Sequence, residues 1–145
     1  MMKPLFVDTA GWMACADAAD PASRGSREAR DRALERGQLL VTTDYVIDET
    51  LTLIRVRLGL GSAEAWWAQV HASSRLRLEW VGMAHADKAR HLFFRHRDKN
   101  FSFTDCTSFV VMQELKLTQA LTTDKHFRQV GFDVVPGPDR KRKAR

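Results

Sequence analysis

The chain has 145 residues, of which 44% are hydrophobic and 28% charged, as is typical of one globular domain with a real core. Its net charge is +5, and residues 140–145 carry five basic side chains, so the remainder is formally neutral and the body of the chain is not a basic domain. No apolar run approaches the ~20 residues of a membrane span, and the N-terminal apolar stretch is too short for a signal peptide.

The predicted elements alternate between strands and helices along the whole chain. Strands are predicted at residues 4–8, 39–42, 76–81, 119–122 and 132–135. Helices are predicted at 10–19, 23–36, from 43 or 44 to 58, from Ser62 onward, at 84–97, at 104–115 and after Asp124. This order predicts a single α/β domain over residues 1–138, with a parallel sheet of about five strands and helices on both faces.

Residues 139–145 form a basic tail beyond the predicted domain. Such a charge run is expected to be disordered, and it either attracts polyanions or serves only as a solvated tail. The two cysteines, Cys15 and Cys106, have no C-x-x-C spacing, so we expect two reduced thiols in a cytoplasmic protein.

Two aspartates follow predicted strands. Asp8 ends the first strand and Asp124 follows the fourth. If these strands are neighbours at the point where the strand order reverses, the two carboxylates face each other at the edge of the sheet where such folds bind ligands. Taken alone, each aspartate is more commonly a turn or helix-cap residue.

A third acid lies within a predicted helix. Asp105 shares a helical face with Phe109 and Met112, so it is expected to point toward the core. A carboxylate in that position is costly unless another group compensates its charge.

The fourth acid is either Asp48 or Glu49. Asp48 shares its face with polar residues, namely Asp44, Thr52 and Arg55. Glu49 shares its face with apolar residues, namely Tyr45, Val46, Leu53 and Val56. Since an acid on a buried stripe needs a reason and a surface acid does not, we select Glu49.

Four inward carboxylates without paired Arg or Lys would repel one another, and a divalent cation would resolve that conflict. A set of oxygen ligands suits Mg²⁺ or Mn²⁺ rather than zinc. A carboxylate-held Mg²⁺ can bind a phosphodiester and activate water, so the acids predict metal-dependent phosphodiester hydrolysis.

Four segments carry these acids: FVDTAGW, DETLTLIR, SFTDCTSFVVM and ALTTDKHF. In this order they resemble the acidic motifs of PIN-domain nucleases, most closely the VapC-type toxins of toxin–antitoxin pairs, over residues 4–135. The resemblance implies a Mg²⁺-dependent endoribonuclease that acts on RNA, is usually a homodimer and is often silenced by a small antitoxin protein.

By this resemblance the metal-site and catalytic acids are Asp8, Glu49, Asp105 and Asp124. Three neighbouring hydroxyl residues either hold waters and orient the carboxylates or simply cap helices; they are Thr9, Thr104 and Thr123.

Other readings remain open. A nucleotide-binding or receiver-like α/β domain would share the fold class, but the chain lacks a glycine-rich phosphate loop. A catalytically inert PIN-like interaction module is the other alternative, against which the four acids argue. The histidines show no ligand spacing shared with the acids, and His126 is interpreted as structural or RNA-contacting. Trp66 and Trp67 cannot share one buried stripe, so one belongs to the core and the other either contacts a dimer partner or antitoxin or is simply exposed.

Overall fold

The computed structural model describes residues 2–137, and within them the chain forms five strands and seven helices. The strands are β1 (Leu5–Val7), β2 (Leu40–Thr43), β3 (Leu76–Glu79), β4 (Gln119–Leu121) and β5 (Asp133–Val135). The helices are α1 (Thr9–Ala16), α2 (Ser23–Glu35), α3 (Asp44–Leu58), α4 (Leu60–Ala72), α5 (Met83–Arg95), α6 (Phe103–Glu114) and α7 (Lys125–Gln129). The predicted tail, residues 139–145, lies outside the described part of the chain.

All five strands are parallel and follow the order β3-β2-β1-β4-β5. In the centre of the sheet Phe6 pairs with Val41 on one side and Ala120 on the other. With right-handed crossovers, the connections from β1 to β3 cover one face and those from β3 to β5 cover the other. The predicted α/β class, with about five parallel strands and helices on both faces, is confirmed.

The point where the strand order reverses lies between β1 and β4. The chain runs outward from β1 to β3, returns to the other side of β1 and continues to β5. In open parallel sheets this is where the loops at the carboxyl ends separate and leave a crevice. The aspartates that follow β1 and β4 are therefore brought to the same crevice, as their positions in the sequence predicted.

Two predicted helices have different bounds in the structure, each for a local reason, and the structure decides between the two predicted starts of a third. The first helix begins at Thr9, because Asp8 caps it, and ends at Ala16, because Asp17 is extended. Of the two candidate caps of α3, it is Thr43 that caps the helix, because its hydroxyl oxygen accepts a 3.1 Å hydrogen bond from the amide of Val46. Ser62 does not cap α4, which starts at Leu60 directly after Gly59, a glycine with φ of +96°.

The core is centred on β1, β2 and β4, whose Phe6, Val41 and Leu121 are fully buried. Trp66 is buried and packs edge to face on Trp12, with ring centroids 5.5 Å apart. Trp67 is half-buried and stacks on His71. Adjacent residues of a helix face different directions, and accordingly only Trp66 of the two tryptophans belongs to the core. Within residues 2–137, no helix combines the length and apolarity that crossing a membrane requires.

Helix α1 approaches the end of β4 so closely that only glycine fits at Gly11. A Cβ atom there would clash with the carbonyl oxygen of Leu121 and lie 3.2 Å from Cγ1 of Val7. Since the main obstacle is backbone, no rotamer change relieves it.

We therefore expect Gly11→Ala to lower the free energy of unfolding by about 3 kcal/mol, as overpacking of a buried site does. Gly61→Ala is the matched control, because Gly61 lies in α4 with open space around its Cα. That change should be neutral or stabilising by up to about 1 kcal/mol. Urea unfolding of both variants checks this, and equal stabilities would contradict the close approach of α1 to β4.

Candidate active site

A cavity of about 450 Å³ opens at the carboxyl ends of β1 and β4. Helices α1, α3 and α6 and the loop after β4 contribute its walls. The four acids selected from the sequence all line it: Asp8, Glu49, Asp105 and Asp124. Four separate stretches of sequence thus deliver carboxyl groups to one place.

Asp8 is the most buried of these acids, with 4% of its surface exposed. Its Oδ1 accepts a 2.9 Å hydrogen bond from the amide of Gly11, and its Oδ2 accepts a 2.8 Å bond from the hydroxyl of Thr122. Burial raises the pKa of Asp8 from 3.8 to about 8; the two hydrogen bonds oppose the rise, while Asp124 and Asp105 add to it. Without a bound cation, this carboxyl group is therefore protonated in the folded protein near neutral pH.

Asp105 and Asp124 converge on one histidine ring. Nδ1 of His126 lies 3.3 Å from Oδ2 of Asp105 and 3.1 Å from Oδ1 of Asp124. Ligand atoms of these three residues all lie within 4.8 Å of one another. No ligand spacing singles out His126 in the sequence, yet it shares the acidic site directly.

The same two aspartates also stabilise helix N-termini. Asp124 caps α7 by accepting from the amide of His126 at 2.9 Å, and Asp105 completes a capping box by accepting from the amide of Ser102 at 3.0 Å. The cap hydrogen bond and the contact with His126 both involve Oδ1 of Asp124 and Oδ2 of Asp105. The other oxygen of each carboxyl group is available to another ligand. Burial raises the pKa of Asp105, and the Ser102 bond opposes that shift.

Helix α3 presents Glu49 to the cavity and Asp48 to solvent, which agrees with the choice made from the helical faces. One member of the supposed apolar stripe was assigned wrongly, because Val56 is 76% exposed. It lies in the last turn of α3, at a position that no other described element covers.

Of the three hydroxyl residues selected from the sequence, the structure brings two to the cavity. Thr9 and Thr123 line it, whereas Thr104 does not. The buried Oγ1 of Thr9 has no hydrogen-bond partner within residues 2–137. None of the three caps its helix, since Asp8, Ser102 and Asp124 do so.

Thr122 is the hydroxyl residue that sequence reasoning missed. Its Oγ1 donates to Asp8 and accepts from the amide of Asp124 at 2.9 Å, so one side chain fixes both acids across the strand-order reversal. Its position at the end of β4 was visible in the sequence, but its direction depends on the β1–β4 register. The cavity also includes residues outside the four motifs, namely Asp20, Arg57 and Asn100.

A series of aromatic ring contacts connects the acidic site to the hydrophobic core. The ring of His126 packs edge to face on Phe101, Phe101 on Phe109 and Phe109 on Phe127, with centroids 4.9–5.2 Å apart. Phe109 and Phe127 are fully buried. This packing fixes the position of His126 and hence the geometry of the two acids that it contacts.

The residues present suit a divalent cation. The cavity offers carboxylate oxygens with unused lone pairs, and an unpartnered buried hydroxyl at Thr9. Among the described residues that line it, the basic side chains are Arg57 and His126, too few to neutralise its acids. A hard cation that prefers oxygen ligands would supply the missing positive charge.

Comparison with known proteins gives a consistent result. The family model described as PIN domain matches residues 5–133. The 23S rRNA-specific endonuclease VapC20 from two strains of Mycobacterium tuberculosis is 33% identical over 128 residues, which is 88% of this chain and 95% of the relative. The crystal structure of Mycobacterium tuberculosis VapC20, described as a sarcin–ricin loop cleaving toxin, superposes with a TM-score of 0.79 at 30% identity and covers the same shares of the two chains.

The buried carboxyl group of Asp8 makes stability depend on pH. Between its unfolded pKa of 3.8 and its folded pKa of about 8, the folded protein holds a proton that the unfolded chain has released. This contribution is therefore fully present below pH 3.8 and is lost as the pH rises through 8. In EDTA, the stability of Asp8→Asn relative to wild type should increase from pH 5 to pH 9.

Urea unfolding at several pH values measures this difference. Asp48→Asn is the matched control, because Asp48 is exposed and outside the cavity. Parallel stability curves for wild type and Asp8→Asn would contradict the raised pKa.

Proposed function

The chain belongs to the PIN-domain family, and from that premise we propose that it is a Mg²⁺-dependent endoribonuclease, with Mn²⁺ as an alternative ion. It hydrolyses RNA phosphodiester bonds at the cavity lined by Asp8, Glu49, Asp105 and Asp124. The observation that carries this proposal is the convergence of four acids from four separate segments on one cavity at the reversal of strand order.

Within this proposal, the four acids hold the cation. When bound, the cation supplies a water of lowered pKa and neutralises charge that develops on the phosphate. Asp8 gives up its proton as the cation binds, because a nearby positive charge favours the carboxylate. Thr122 positions Asp8 and Asp124 relative to each other by hydrogen bonds to both residues. The ring of His126 contacts both Asp105 and Asp124 and so keeps these two acids close together.

The substrate class rests on the relatives. VapC20 is named for 23S rRNA, and the present chain covers 95% of its length, so 23S rRNA is the first RNA to test. We further propose that the protein is the toxin of a toxin–antitoxin pair in the cytoplasm, silenced by a small antitoxin protein. The basic tail, residues 139–145, would add long-range attraction for RNA.

A homodimer is proposed through the outer face of α5. Met83 and Phe94 are 87% and 63% exposed and lie eleven residues apart, three turns along one side of the helix. The ion pair of Asp87 and Arg90 lies between them. Apolar ends flanking an acid–base pair make a self-complementary surface, as a twofold interface requires.

Single amide variants at the four acids should each lower RNA cleavage by orders of magnitude, because each removes a ligand charge from the cation site. Asp48→Asn is the control for Glu49→Gln, since the two side chains are adjacent in sequence but only Glu49 lines the cavity. Cleavage of 23S rRNA is measured in Mg²⁺ and in EDTA. Full activity in EDTA, or loss of activity in Asp48→Asn with retention in Glu49→Gln, would overturn the assignment.

Phe94→Glu should convert the protein from dimer to monomer, because it places a charge in the proposed interface. Leu39→Glu is the control, since Leu39 is 41% exposed and lies just before β2, outside α5. Light scattering coupled to size exclusion measures the mass of each form. A monomeric wild type, or an unchanged mass for Phe94→Glu, would show that this face does not join two copies.

A further inference from the structure

One arginine lines the acidic cavity without a role in the arrangement described so far. Arg57 lies two turns along α3 from Glu49, and both side chains, with Leu53 between them, form the α3 wall of the cavity. Arg57 is exposed, and within residues 2–137 it forms no salt bridge. Its guanidinium group is therefore not committed to another side chain.

The acids of the cavity repel the negatively charged backbone of a nucleic acid. Five acids line it, the four named above and Asp20. A phosphodiester carries a negative charge, and a cation held by the acids offsets only part of theirs. A polyanion approaching this cavity needs further positive charge at its wall.

We propose that Arg57 binds a backbone phosphate of the RNA substrate on the α3 side of the cavity. This inference rests on the proposed nuclease function and adds a substrate-binding residue to it. A guanidinium group donates two parallel hydrogen bonds to a phosphate, a geometry that an ammonium group does not reproduce. On the α6 side, the described residues that line the cavity are neutral, as at Asn100 and Ser102, or acidic, as at Asp105. The ring of His126 already contacts Asp105 and Asp124, so the positive contact with the backbone falls to α3.

Two structural explanations for Arg57 must be separated from this one. A basic residue in the last turn of a helix interacts favourably with the helix dipole, and a cation near acids reduces their repulsion. Arg55 lies in the same last turn of α3 but faces a different cavity, with Leu51, Thr52 and Trp67. It shares the first explanation and not the second, which makes it a matched control.

The test compares the steady-state cleavage of an RNA oligonucleotide by wild type, Arg57→Gln, Arg57→Lys and Arg55→Gln in Mg²⁺. For Arg57→Gln we expect KM to rise about tenfold with kcat within about threefold, because a contact to a spectator phosphate stabilises the ground state and the transition state equally. The slope of log kcat/KM against log salt should become shallower by about 0.7. Arg57→Lys should restore the slope but only part of KM, and Arg55→Gln should match wild type.

The melting temperature in EDTA is a second readout, which distinguishes phosphate binding from a purely structural role. If Arg57 only offsets the repulsion of the acids, Arg57→Gln should lower the melting temperature in EDTA and leave KM and the salt slope unchanged, which overturns the proposal. A fall in kcat alone, or an equal effect of Arg55→Gln, overturns it as well. If wild type fails to cleave RNA, the proposed function fails together with this inference, whereas a cleaving wild type with an unaffected Arg57→Gln rejects this inference alone.

Discussion

The buried carboxyl group of Asp8 is the constraint on which the site depends. It lies at the end of the central strand β1, where burial raises its pKa to about 8 and the neighbouring acids add to the rise. A protein that needed only a helix cap there would do better with an uncharged side chain such as serine. The fold instead supplies an amide from Gly11 and a hydroxyl from Thr122, which hold the group in place without neutralising it. A nearby positive charge would favour the ionised form of this group, and this is the physical basis for proposing a cation site at this edge of the sheet.

A carboxyl group that caps a helix can also bind a metal ion, so the two interpretations of these acids are compatible. Asp8, Asp105 and Asp124 all accept hydrogen bonds from amides at helix N-termini, so each would have been explained as a structural residue if considered alone. Those bonds fix the direction of each side chain. Within residues 2–137, the second carboxylate oxygens of Asp105 and Asp124 accept no hydrogen bond. Three helix N-termini around one cavity therefore orient the acids, and their partial positive charges reduce the repulsion among them.

Much of the fold and part of the site were predictable because they depend on short-range patterns. Apolar runs gave the strands, and the ends of β1 and β4 located Asp8 and Asp124. Helical faces located Asp105 and separated Glu49 from Asp48. The same reasoning failed at Val56, because a helix face predicts burial only where another element covers it. Thr122 and His126 could not be found this way, since their contacts depend on strand register and on how α7 packs against Phe101.

The residues beyond the four motifs carry a different kind of information. The cation site proposed at the acids is one that many related folds could share, and such a site would distinguish one polyanion from another poorly. Discrimination would then come from the cavity wall, where α3 contributes Arg57 and the segment before α6 contributes Asn100. Within residues 2–137, neither side chain forms a hydrogen bond to Asp8, Asp105 or Asp124, so a change at either position would leave the contacts of these acids intact. Changes of substrate preference within this architecture should therefore be sought on the wall, and changes of catalytic power among the acids.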